Sequence, residues 1–141
     1  MDYYMDSFMG WIGGKRILRK AILERFPTDK VERYIEVFGG AAWVLFAKEK
    51  QAGQLEVYND INGDLVNLFR CVKYHCGELQ REFDWLLSSR EQFFDYVAQT
   101  NMRGLTDIQR AARFLYRVKI SLAKADFYPV QKPGGPLAVC K

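Results

Sequence analysis

The sequence is poor in the residues from which metal sites and disulfide frameworks are built. It contains one histidine and three cysteines, an odd number with neither a zinc-ligand spacing nor a framework of paired cysteines. We therefore predict no metal site and a reducing, cytoplasmic environment. No apolar stretch approaches the ~18 residues of a membrane span, and the N-terminus lacks the basic-then-apolar order of a secretory signal. These absences predict a chain without membrane contact.

Proline and excess positive charge are both concentrated near the C-terminus. Three of the four prolines follow residue 123, so residues 124–141 are predicted to form an irregular tail. Residues 1–100 carry 13 lysines and arginines against 15 acids, whereas residues 101–141 carry 8 against 2. Basic residues recur there at seven-residue intervals, which predicts one helix face that contacts nucleic acid or an acidic partner. We call this the basic face, and it consists of Arg103, Arg110, Arg113, Arg117 and Lys124. The alternative is that these residues lie on the solvated side of an amphipathic helix.

The apolar residues follow two periodicities that together predict an α/β fold. Short apolar runs predict buried strands over 34–38 and 55–58, joined by a helix and therefore parallel. The predicted helices cover residues 16–26, 42–51, 64–75, 78–87, 89–100 and 107–123. The resulting fold class is α/β, with a short parallel sheet, flanking helices and a helix-rich C-terminal part.

Capping patterns mark some of the predicted helix boundaries. Ser88 precedes Glu91 by three residues, and Thr106 precedes Gln109 by three, which is the spacing of a capping box. Gly77 is a predicted helix stop.

The first strand runs into a glycine turn, which we define as residues 38–42, and a helix and a second strand follow. Gly40 and Asp60 are 20 residues apart, the separation at which an acid after the second strand meets a ribose. Neither G-x-G-x-x-G nor a phosphate-cradling G-x-x-x-x-G-K-[ST] occurs, which disfavours dinucleotides and nucleoside triphosphates. S-adenosylmethionine has no phosphate and carries two cationic groups, and Glu36 could meet one of them. The alternative is an ordinary turn with a solvated acid.

Three motifs in this order resemble a known family. They are Trp-Ile-Gly-Gly-Lys at 11–15, Glu-Val-Phe-Gly-Gly-Ala-Ala at 36–42 and Asp-Ile-Asn-Gly-Asp-Leu at 60–65. Over residues 7–120 the chain is similar to the N-terminal part of D12-class DNA adenine-N6 methyltransferases, which are common in phages and prophages. The resemblance implies a bacterial host cytoplasm and S-adenosylmethionine as cofactor. The cofactor-binding residues that it implies are Trp11, Gly13, Gly14, Lys15, Glu36, Phe38, Gly40, Ala42 and Asp60.

The resemblance also implies the fold and its boundaries. Residues 7–123 would form a truncated, Rossmann-like class I methyltransferase half that binds the cofactor, and residues 124–141 a divergent tail. Two residues depart from the family pattern. Ala42 replaces a glycine, and Trp43 stands where a small residue is common, so that its indole either crowds the pocket or packs in the core.

The family's catalytic D-P-P-Y motif does not occur, since the sequence contains no Pro-Pro pair. We therefore expect a catalytically incomplete protein that acts by binding rather than catalysis. One alternative is half of a split DNA adenine-N6 methyltransferase, completed by a second chain. Another is a phage inhibitor of a host defence nuclease, like an anti-CRISPR protein. An incomplete sheet would be covered by self-association or by a protein partner, or by tail residues Phe127, Tyr128, Val130 and Leu137.

Overall fold

The computed structural model describes residues 5–122, which fall into two compact units. Unit 1 extends to Ile61, and unit 2 begins at Asn62. The predicted half-domain of residues 7–123 therefore includes residues of both units. The predicted tail of residues 124–141, with its four docking residues and Lys124, lies outside the described residues.

Within its described residues, unit 1 alternates short helices and strands. Its elements are α1 (Arg19–Leu23), β1 (Arg33–Glu36), α2 (Trp43–Ala47) and β2 (Leu55–Tyr58). β1 and β2 pair in parallel, with Ile35 opposite Val57, which confirms the predicted α/β class and its short parallel sheet. The helices predicted over 16–26 and 42–51 are both shorter than expected. α2 ends because the backbone of Lys48 is extended, with φ −69° and ψ 148°.

The two faces of this small sheet differ in their surroundings. Glu36 lies on the face that contacts α2, where it is 8% exposed. Side chains alternate along a strand, so Ile35 and Leu55 lie on the opposite face, where they are 54% and 56% exposed. That outer face also carries Arg33 but is otherwise apolar, and it is open to solvent in the described part of the chain.

The regular elements of unit 2 are all helices within its described residues. Its elements are α3 (Gly63–Tyr74), α4 (Cys76–Asp84), α5 (Arg90–Ala98) and α6 (Asp107–Leu122). The long helix α6 contacts the other three helices, and its residues Ala111, Ala112 and Leu115 are buried. These are residues of its predicted apolar face. The expectation of a helix-rich C-terminal part is therefore confirmed.

Two of the three predicted helix boundaries need correction. The capping box at Thr106 is confirmed, since its Oγ1 accepts from Gln109 N at 3.1 Å and Gln109 Oε1 accepts from its N–H at 3.2 Å. The cap of α5 is Ser89 and not Ser88, because the Oγ of Ser89 accepts from Gln92 N. The predicted stop at Gly77 was wrong, since Gly77 lies inside α4. The break before α4 is at His75, whose backbone has φ −136° and ψ 35°.

Candidate functional site

The glycine turn connects β1 to α2 in a backbone path that side chains would obstruct. A Cβ on Gly39 would lie 2.2 Å from Cε2 of Tyr58, far inside van der Waals contact. Gly40 has φ +51°, in the left-handed region that glycine enters without steric cost. Ala42 also lies there, with φ +55°, a conformation that glycine would adopt without steric cost. The backbone of Ala42 adopts this left-handed conformation at a small steric cost, which its methyl group causes.

Side chains and backbone from the end of β2 hold this turn. Gly40 N–H donates to Asp60 Oδ2 at 2.9 Å, and Tyr58 OH donates to the Gly40 carbonyl at 2.7 Å. Gly39 N–H donates to the Asn59 carbonyl at 2.8 Å. Asp60 thus holds the glycine turn in shape, a role that its spacing in the sequence did not indicate. It is also the candidate ligand for a ribose.

The loop of residues 11–15, which we name the Trp11 loop, lies against the same turn. Gly14 N–H closes the loop on the Trp11 carbonyl at 2.9 Å. A Cβ on Gly14 would lie 2.9 Å from that oxygen and 3.0 Å from Nε1 of Trp43. Lys15 Nζ donates to the Phe38 carbonyl at 3.2 Å. The loop and the turn are therefore joined by direct contacts within unit 1.

The carboxylate of Glu36 is the most deeply buried charged group of the site. Its Oε2 accepts from the backbone N–H of Leu45 at 3.0 Å and from Tyr34 OH at 3.2 Å. Burial nevertheless raises the pKa of Glu36, against the lowering effect of these hydrogen bonds and of the nearby Lys15 ammonium. A buried carboxylate beside a cavity attracts a cation, because little water screens it.

These segments enclose a cavity of about 200 Å³ in unit 1. Eight of the nine predicted cofactor residues line it, and the exception is Ala42, which is fully buried. The lining residues are Trp11, Ile12, Gly13, Gly14, Lys15, Glu36, Phe38, Gly39, Gly40, Ala41, Trp43 and Asp60. The volume lies below the roughly 300–1,000 Å³ of sites that enclose a drug-sized ligand. This volume is smaller than a whole nucleoside-sized ligand needs and large enough for part of one.

The sequence left Trp43 between crowding the pocket and packing in the core, and did not count it among the cofactor-binding residues. It is 7% exposed and lines the cavity, so it both packs in the core and bounds the pocket. The guanidinium groups of Arg16 and Arg19 lie 5.5 Å and 5.4 Å from its ring centroid, within cation–π distance. Its position as the first residue of the helix after the glycine turn is the signal that could have identified it.

The basic face of α6 makes contacts within unit 2. Arg110 pairs with Asp64 at 3.5 Å and with Asp107 at 3.4 Å. The Arg113 guanidinium lies 5.4 Å from the ring centroid of Tyr96. Arg117, also on α6, donates to Thr100 at 2.6 Å. Arg103 precedes α6 and is exposed, so the prediction that it shares this helix face was wrong, and Lys124 lies outside the described residues.

Residues 5–122 contain no group of three or more histidine, cysteine or acidic residues placed to hold a metal ion. No helix in the same range is both long and apolar enough to cross a bilayer.

Comparison with known proteins places the chain among adenine methyltransferases. The family model of the D12 class N6 adenine-specific DNA methyltransferases matches residues 11–132. This match begins at Trp11, contains all three motifs and continues past residue 123.

Two curated proteins give the same result at modest identity. The chain is 29% identical over 126 residues to the type II methyltransferase M1.LlaDCHI of Lactococcus lactis subsp. cremoris. The aligned region covers 82% of this chain and 41% of that protein. The chain is also 27% identical over 128 residues to the type II methyltransferase M.MjaIII of Methanocaldococcus jannaschii. That aligned region covers 79% of this chain and 44% of the relative. The chain spans less than half the length of these two relatives. Since the family model covers most of its residues, the chain belongs to the D12 class of N6 adenine-specific DNA methyltransferases.

Proposed function

We propose that unit 1 binds S-adenosylmethionine in the cavity between the Trp11 loop, the glycine turn and Asp60. The observation that carries this proposal is the meeting of two carboxylates, Glu36 and Asp60, at one cavity formed by close glycine backbone. The cofactor carries an ammonium and a sulfonium group, and its ribose offers two hydroxyl donors. The residues that line the cavity therefore suit S-adenosylmethionine better than a phosphate-bearing nucleotide.

Each lining group has a distinct part in holding the cofactor. Glu36 would pair with a cationic group at the methionine end, since its buried carboxylate is poorly screened. Asp60 would accept hydrogen bonds from the ribose hydroxyls at the end of β2. The glycines at positions 14 and 40 allow the ligand to approach the backbone closely. When bound, the cofactor supplies an electrophilic methyl group to the exocyclic amine of adenine.

Isothermal titration calorimetry tests the proposal directly. We expect the wild-type chain to bind S-adenosylmethionine and S-adenosylhomocysteine and to bind ATP far more weakly, because the sequence lacks the phosphate-cradling G-x-x-x-x-G-K-[ST] motif. Asp60→Ala should abolish measurable binding, since it removes both the ribose acceptor and the bond to Gly40 N–H. Asp29→Ala, at an exposed carboxylate of unit 1, is the matched control and should bind as wild type does. Absence of binding by the wild-type chain would refute the proposal.

We further propose that these 141 residues hold the cofactor and do not themselves transfer the methyl group. Adenine must be flipped into a pocket, where its amino group needs hydrogen-bond acceptors. The resemblance implies that the D-P-P-Y motif supplies these acceptors. That motif is absent from this sequence. A further segment, in a longer polypeptide or in a second chain, would supply it. The exposed apolar sheet face at Ile35 and Leu55 is a suitable surface for such a segment.

Methyl transfer by the isolated 141-residue chain should be negligible. Incubation with S-adenosylmethionine labelled in its methyl group and with adenine-containing DNA should leave the DNA unlabelled. The same assay with a second polypeptide that carries D-P-P-Y, from a relative or a neighbouring reading frame, should restore labelling if the two halves form one enzyme. Label in DNA incubated with this chain alone would contradict the proposal.

Other interpretations of the sequence stay predictions. Among residues 5–122, no contact or surface favours the inhibitor role over the cofactor-binding role. Self-association and a nucleic-acid contact through the basic face stay predictions as well. A nuclease inhibitor would act independently of cofactor, so inhibition that survives Asp60→Ala would identify that role.

A further inference from the structure

We infer that Tyr58 is a positioning residue for the cofactor, which holds the glycine turn in its binding conformation through the Gly40 carbonyl. This inference rests on the function proposed above. Tyr58 is the last residue of β2 and is partly buried beside the turn.

Both polar groups of Gly40 are held by side chains from one short segment. Tyr58 OH donates to the Gly40 carbonyl at 2.7 Å, and the Gly40 N–H donates to Asp60 Oδ2 at 2.9 Å. Between them, the Asn59 carbonyl accepts from the N–H of Gly39 at 2.8 Å. Three consecutive residues thus hold two consecutive glycines. Of these three residues only Asp60 lines the cavity, so Tyr58 acts through the turn and not on the ligand.

The ring of Tyr58 also occupies the space beside Gly39. Three of its ring atoms lie 2.2–2.9 Å from the position that a Cβ on Gly39 would take. The ring therefore lies directly against the glycine backbone, while the hydroxyl reaches the next residue. Burial raises the pKa of the Tyr58 hydroxyl, so it stays protonated and able to donate at neutral pH.

Glycine is the residue that most needs such external constraint. Without a Cβ, Gly40 populates both signs of φ with similar ease, so its conformation of φ +51° is set by its partners. Loss of the Tyr58 hydroxyl removes one of the two side-chain hydrogen bonds that hold Gly40, so the turn samples more conformations. The turn must then be ordered when the ligand binds, which weakens affinity through lost preorganisation.

Tyr58→Phe separates the hydroxyl from the ring and leaves every lining residue in place. We expect calorimetry to give roughly 3- to 10-fold weaker S-adenosylmethionine binding, the usual effect of one hydrogen bond. Amide hydrogen exchange at Gly40 and Ala41 should become faster, while exchange in β1 and in unit 2 stays unchanged. Tyr74→Phe, at a tyrosine that is 64% exposed on α3, is the control and should change neither quantity.

The outcomes separate this inference from the function on which it rests. If the wild-type chain binds no S-adenosylmethionine, the proposed function fails and the inference fails with it. If the wild type binds and Tyr58→Phe binds equally tightly, only the inference is overturned. Weaker binding without faster exchange at Gly40 would also overturn it, since the effect would then not pass through the turn.

Discussion

Gly39→Ala should destabilise unit 1 by about 1–3 kcal/mol or more, the range observed when methyl groups are forced into closely packed sites. The new methyl group would lie 2.2 Å from Cε2 of Tyr58. The ring cannot move away cheaply, because its hydroxyl is bonded to the Gly40 carbonyl. Either the ring or the turn must shift, and each shift distorts the cavity. Cofactor binding should therefore fall below detection, and denaturant unfolding with calorimetry measures both effects.

A second glycine provides the matched control. Gly77 lies in α4, and a Cβ there would meet no atom within 4 Å. Gly77→Ala should leave cofactor binding unchanged and should stabilise the chain by up to about 1 kcal/mol, because alanine is the better helix former. Equal losses in the two variants would show that the effect of Gly39→Ala is not steric.

A double-mutant cycle identifies the partner in the clash. Tyr58→Ala removes the ring that the Gly39→Ala methyl group would strike, so the two substitutions should not be additive. We expect the double variant to be more stable than the sum of the single effects predicts, by about 0.5–3 kcal/mol. Its cofactor affinity should stay low, because the hydroxyl that holds Gly40 is also lost. Additive destabilisation would contradict this account of the turn.

The sequence predicted those features of the fold that short-range patterns determine. The order of strand, glycine turn, helix and second strand follows from apolar runs and glycine positions, and the capping box at Thr106 follows from residue types three apart. The cap of α5 was misplaced by one residue because Ser88 and Ser89 are adjacent and each is followed, three residues on, by a suitable side chain. Only the backbone geometry selects Ser89.

Contacts between distant residues could not be predicted in the same way. The role of Tyr58 depends on the parallel register, which brings the end of β2 beside a turn 18 residues earlier in the chain. The basic face shows the same limit. A seven-residue spacing places Arg110 and Arg117 on one side of a helix, but their partners Asp64 and Thr100 come from other parts of the chain. Spacing predicts a shared face and not what that face contacts.

Glu36→Gln should separate cofactor affinity from stability more clearly than any other substitution in the site. The glutamine carbonyl oxygen can still accept from Leu45 N–H and Tyr34 OH, so the fold should be retained. The negative charge facing the methionine end is lost. Hydrogen bonds to charged groups contribute about 1.5–3 kcal/mol, so S-adenosylmethionine affinity at pH 7 should fall roughly 10- to 100-fold.

A truncated ligand and a matched variant control the binding measurement. Adenosine lacks the ammonium and sulfonium groups, so its affinity should be almost the same for Glu36→Gln and wild type. Glu49→Gln, at an exposed carboxylate of unit 1, should leave both affinities unchanged. Equal losses for adenosine and S-adenosylmethionine would mean that Glu36 shapes the pocket and does not pair with a cation.

The pH dependence of stability provides an independent check on Glu36. Burial raises its pKa in the folded chain above the ordinary value of 4.5, so the folded state binds this proton more tightly than the unfolded state. This group's contribution to stability therefore decreases as pH rises from about the unfolded pKa through the raised folded pKa. Glu36→Gln cannot titrate, so its stability relative to wild type should increase across that interval. Denaturant unfolding between pH 4 and pH 7 measures the difference, and a relative stability that decreases with pH would mean that hydrogen bonds to the carboxylate outweigh its burial.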